Sequence, residues 1–111
     1  MNIAVIDTLT FEALQAHAGA DFVLTLLDAF AEESPQLLDA LRQALRQQDG
    51  ERFETAAHTL KSNCVTFGAT RLAEAAAWLE CQGPAVDAGC IDLLAAELAA
   101  LLPALRALAS R

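Results

Sequence analysis

Residues 51–68 run ERFETAAHTLKSNCVTFG. Their apolar members Phe53, Ala57, Leu60, Cys64 and Phe67 alternate steps of four and three, the spacing of an amphipathic α-helix with one buried stripe. Gly68 stands where a left-handed cap would stop that helix. Upstream, Asp49-Gly50 reads as a turn. Before it, Val23, Leu26, Leu27, Phe30, Leu37, Leu38, Leu41 and Leu45 keep one helical phase across Ser34-Pro35, which predicts a single long helix bent at the proline. Leu9, Ala13 and Ala16 predict a short helix ended by Gly19.

Downstream, Leu72, Ala75, Ala76 and Leu79 form the buried face of another helix, and Gly83-Pro84 forces a loop. In the last segment Ile91, Leu94, Leu98, Leu101, Leu105 and Leu108 give a seam suited to shallow-angle packing, with Pro103 outside it and a kink expected near Ala99. The expected fold is all-α: an up-down four-helix bundle with a short additional N-terminal helix. The spans are about 8–17, then 21–48, 51–67, 69–81 and 87–109, within one domain over residues 1–111.

Composition agrees. Ala and Leu supply roughly two-fifths of the 111 residues and β-branched residues are few, which favours helix over strand. Seven basic residues against fifteen acidic ones leave a formal charge of −8, a surface that repels phosphate backbones and anionic lipid. Nucleic acid and membrane insertion are therefore not expected, and the apolar run Leu98–Leu105 falls far short of the roughly 20 residues a span needs. The first residues do not read as a secretory signal, so a cytoplasmic monomer is expected. Cys64, Cys81 and Cys90 lack C-x-x-C spacing and read as free structural thiols, and no metal-ligand cluster is visible.

The phase of His58 is the informative step. At about 100° per residue, the buried stripe of its helix lies some 150° away, so the ring points out of the bundle and does not belong to the core. Within about 60° of it stand Glu51, Glu54, Thr55, Lys61, Ser62 and Val65. A solvated imidazole is mostly unprotonated at pH 7 and can attack an electrophilic phosphorus without an added base. Lys61 can offset the charge of an attached phosphoryl group, or pair with Glu54 or Glu51 as an ordinary surface lysine. Ser62 is small enough to admit a large incoming group, and Val65 suits either a lone surface site or a docking surface. His17, near the end of the first helix, reads as surface structure, and Trp78 as a partly buried packing residue.

The run Ala57-His58-Thr59-Leu60-Lys61, continued through Ser62 to Ala69 with Gly68 ten residues after the histidine, and then Leu72 and Leu79-Glu80, resembles the histidine-containing phosphotransfer (HPt) domains of two-component phosphorelays. Asp21-Phe22, Leu26–Phe30 and Ser34-Pro35-Gln36-Leu37-Leu38 are similar to that family's long first bundle helix. The resemblance implies that His58 takes a phosphoryl group from a receiver-domain phospho-aspartate and passes it to another receiver aspartate, supported by Lys61 and Ser62. It implies no kinase activity and no cofactor of the chain's own, Mg²⁺ belonging to the receiver. Partners would be response-regulator receiver domains and a hybrid sensor histidine kinase, docking near Glu54, Thr55 and Val65 and, on the long helix, near Phe30, Ala31 or Ser34. Ser62 departs from the family's usual Gly. Two other readings stay open at this stage: a module that docks a receiver without transferring phosphate, and a metal-dependent hydrolase, for which the sequence offers no ligand set.

Overall fold

The computed structural model describes residues 6–110, so residues 1–5 and Arg111 of the expected domain lie outside the described residues. Every regular element among them is helical: α1 Thr8–Ala18, α2 Ala20–Gln47, α3 Gly50–Thr66, α4 Thr70–Gln82, a 3₁₀ turn Gly83–Ala85, and α5 Ala88–Ala109. Three of the helices begin on an aspartate whose carboxylate accepts from otherwise unpartnered backbone amides: Asp7 from Leu9 and Thr10, Asp49 from Arg52, and Asp87 from Gly89.

The short connections reverse the chain three times, and α2, α3, α4 and α5 close a ring in which each packs on its neighbours. The 28 residues of α2, at about 1.5 Å each, set the 42 Å long dimension of the molecule. The helix passes through Pro35 without a break. Just before it, the buried Ser34 hydroxyl donates to the Phe30 carbonyl at 2.7 Å. α5 likewise continues through Pro103.

The α2–α3 turn is built differently from the expected Asp49-Gly50 turn. Gln48 takes the left-handed conformation (φ 53°, ψ 39°), the Asp49 amide donates back to Ala44 and the Gln48 amide to Leu45, and Gly50 is already the first residue of α3. The Gln48 side chain explains how a non-glycine residue is held there: its Nε2 donates to Leu45 O at 2.7 Å and to Pro84 O at 2.9 Å, tying the turn to the 3₁₀ segment. Gly68 closes α3 as expected, with φ 74° and the paired bonds Ala69 N–H to Cys64 O and Gly68 N–H to Val65 O.

The core holds the stripe read from α3, with Phe53, Ala57, Leu60, Cys64 and Phe67 all buried. From α5 come Ile91, Leu94, Leu98, Leu101 and Leu105, with Leu108 half-buried. By length and composition α5 could cross a bilayer, but this seam packs on α2 and forms one wall of the core. Each large side chain so buried is worth about 1.5–3 kcal/mol. Phe30, named above as a docking candidate, is a core residue: it is 3% exposed and its ring stacks on Phe67 with centroids 5.3 Å apart. Ser34 is buried as well, and neither offers a surface to a partner. Trp78 is half exposed.

The three cysteines separate by environment. Cys64 lies in the core, where burial pushes its thiol up to about 12, whereas Cys90 is half-buried and Cys81 is exposed. Brief treatment with iodoacetamide at pH 8 is expected to alkylate Cys81 first and to leave Cys64 unmodified until the protein is unfolded. Peptide mapping by mass spectrometry reads this directly, and early modification of Cys64 would show that the α3 stripe is not packed as described.

Candidate functional site

The phase that buries Phe53, Ala57 and Leu60 turns His58 outward, and its side chain is 58% exposed. The ring is nevertheless anchored. From α4, 22 residues further along the chain, Glu80 places Oε2 at 3.0 Å from His58 Nδ1 and Oε1 at 3.1 Å from Lys61 Nζ. One carboxylate thus bridges an imidazole and an ammonium that lie one turn apart on α3.

Glu80 is positioned by its own helix. On α4 it shares the phase of Ala73 and Ala76, at the edge of the face packed on α3, so it stays about a quarter exposed. The Lys61 hydrogen bond, and after it the His58 bond and both charges, hold its carboxyl below the ordinary value of 4.5, against an opposing desolvation effect. At neutral pH it is a carboxylate and can only accept, so the proton between it and the ring resides on His58 Nδ1. In the neutral ring the other nitrogen, Nε2, then carries the lone pair and faces away from the anchor. The arrangement presents a nucleophilic nitrogen with its tautomer set and a cation within reach.

The remaining residues singled out in the sequence fall as follows. Glu54, Thr55, Ser62 and Val65 are exposed on α3, and Ala31 is half-buried on α2. The Thr55 hydroxyl is committed to the Glu51 carbonyl at 2.9 Å. Lys61 pairs with Glu80, not with Glu54 or Glu51 as the surface-lysine reading has it. Two apolar grooves flank α3. One, of about 310 Å³, lies against α2 and includes Leu37, Ala40, Thr55 and Thr59. The other, of about 300 Å³, includes Thr10, Val65, Gly68 and Ala73. A third groove, between α4 and α5 at Trp78 and Leu93, lies about 160° around α4 from Glu80 and does not join this site. Among the described residues no three His, Cys, Asp or Glu side chains gather as a metal site.

Glu80 is the member of this cluster that the sequence reading passed over, since it entered only as part of a resemblance and was given no role. A signal was present: an acidic side chain in phase with Ala73 and Ala76 needs a partner when that face packs.

The Hpt domain profile matches residues 25–107. The phosphorelay protein LuxU of Vibrio harveyi is 34% identical over 76 residues, covering 68% of this chain and 67% of that protein. No solved structure matches. With the profile spanning α2 to α5 and His58 displayed on the outer face of α3, the chain belongs to the Hpt domain family.

Proposed function

We propose that His58 Nε2 is the phosphoacceptor of a phosphorelay carrier: it takes the phosphoryl group from the phospho-aspartate of one receiver domain and yields it to the aspartate of another. The observation that carries this reading is the ring's combination of exposure and anchorage, 58% exposed yet held through Nδ1 by Glu80. In-line attack needs an oriented lone pair with open space in front of it, and this geometry supplies both. Lys61 would neutralise part of the charge arriving with the phosphoryl group. Ser62, exposed and one turn on from the histidine, leaves room for the receiver's active-site loops. The exposed Glu54, Thr55 and Val65 and the grooves on either side of α3 support docking of the receiver along this helix.

Members of this family work with receiver domains and kinases. In this reading the chain catalyses no phosphorylation from ATP, the receiver brings the acidic pocket and its Mg²⁺, and the carrier acts as a monomer in the cytoplasm with a hybrid sensor kinase upstream. The test is to mix the purified chain with a phosphorylated receiver domain. Label should pass to the chain in an acid-labile, base-stable form mapping to the peptide that contains His58. Binding of the receiver with no transfer would overturn the carrier assignment in favour of a docking module.

A further inference from the structure

We propose that Glu80 is a positioning residue that exchanges partners during the transfer cycle: it holds His58 and Lys61 together at rest, and holds the ring alone once the phosphoryl group is attached. The inference rests on the reading of His58 as the acceptor and deepens it. The two contacts use different carboxylate oxygens, Oε2 to Nδ1 at 3.0 Å and Oε1 to Lys61 Nζ at 3.1 Å, so either can be released while the other stays. Glu80 is fixed at the helix interface, whereas Lys61 carries its charge on a flexible four-carbon stem.

Charge balance favours the exchange. With the ring in its neutral, nucleophilic form, the ring, the carboxylate and the ammonium sum to zero. A phosphoryl group on Nε2 brings two negative charges; with the Nδ1 proton retained the cluster carries −1, and without it −2. Lys61 is drawn to the dianion, and the carboxylate left behind stabilises the positive ring.

The steps balance without a proton entering or leaving. The Nε2 lone pair forms the N–P bond while the P–O bond of the acyl phosphate breaks, its electron pair leaving with the donor carboxylate. The ring becomes an Nδ1–H phosphoimidazolium. In the outward step a carboxylate oxygen of the second receiver attacks phosphorus, the N–P bond breaks, and its electron pair returns to Nε2. Glu80 accepts a hydrogen bond throughout and never takes the proton.

The groups facing this cluster are few. On the His58 face of α3 they are Glu51, Glu54 and Lys61, and from α4, Glu80; from α2, Glu33 is bonded to Asn63, about 140° around α3 from the ring. From α1, Asp7 is bonded to Thr10, and the 3₁₀ turn has no ionisable side chain.

The test uses the full chain with ¹⁵N-labelled histidine, phosphorylated by phosphoramidate so that no partner protein is required, with His17 as internal reference. The unphosphorylated wild-type ring is expected as the Nδ1–H tautomer. Glu80→Gln keeps that tautomer through its amide oxygen but removes the charge, so the fraction of phosphorylated ring protonated on Nδ1 at pH 8 falls about tenfold. Transfer onward to a receiver slows in parallel. Glu80→Ala yields a mixture of tautomers, and Lys61→Ala leaves the tautomer unchanged. An Nε2–H tautomer in the wild type, or the same Nδ1 titration in wild type and Glu80→Gln, would overturn the inference. Because phosphoramidate loads the ring directly, failure of the receiver to donate would count against the carrier reading and leave the Glu80 measurement standing.

Discussion

A chain carrying His58→Gln is expected to take up no phosphoryl group from a phosphorylated receiver domain, a complete loss, while unfolding within about 2 °C of the wild type. The two halves of that result come from the same observation. Glutamine offers an amide where the imidazole offers a lone pair, so no N–P bond can form. Yet the ring contributes little to the fold: it is 58% exposed, and its polar contact in the structure is the bond to Glu80, which a glutamine amide can also donate. Autoradiography of the mixed proteins reads the first half and a melting curve the second. Label retained on the variant would move the acceptor elsewhere, His17 being the other imidazole in the chain. Loss of label together with a lowered melting temperature would mean instead that the histidine is structural.

The parts of this molecule that were legible in sequence are those fixed by neighbours along the chain. The end of α3 follows from a left-handed Gly, and burial follows from phase, so the stripe of α3 and the seam of α5 could be read residue by residue. The outward direction of His58 belongs to the same class, because the residues that bury the opposite face also aim the ring. What could not be read depends on how one helix is set against another. Gln48 occupies the left-handed turn position because its side chain reaches the Pro84 carbonyl, 36 residues away. Glu80 reaches His58 only because α4 runs back along α3 in one particular register. Phe30 shows the two kinds of inference in conflict: its phase on α2 placed it in the core, resemblance suggested a docking surface, and stacking on Phe67 settles it as core.

Gly68→Ala is expected to lower stability by about 2–3 kcal/mol, a fall of about 10 °C in Tm for a chain of this size. Gly68 sits at φ 74°, where an L-residue costs about 1–2 kcal/mol. It is also where α1 docks. The Asp7 amide donates to the Gly68 carbonyl at 2.7 Å, and a Cβ at this position would stand 2.6 Å from the Asp7 backbone oxygen and 3.1 Å from Thr10 Cβ. Backbone cannot swing aside as the tip of a long side chain can, so the start of α1 must lift away, sacrificing a hydrogen bond worth about 0.5–1.5 kcal/mol. The same change at Gly50 should have the opposite sign. Gly50 is the first residue of α3, its added Cβ would meet Pro84 Cδ only at 4.0 Å, and alanine there gains about 0.5–1 kcal/mol by restricting the unfolded chain. Paired melting curves test both, and hydrogen exchange should show the Gly68→Ala loss first in the amides of α1. Direct phosphorylation of His58 by phosphoramidate, which needs no docked receiver, should survive in both variants well below the melting transition, since Glu80, Lys61 and His58 lie on parts of α3 and α4 that the α1 contact does not hold. A Gly68→Ala chain that melts with the wild type would mean that α1 enters the bundle by another route.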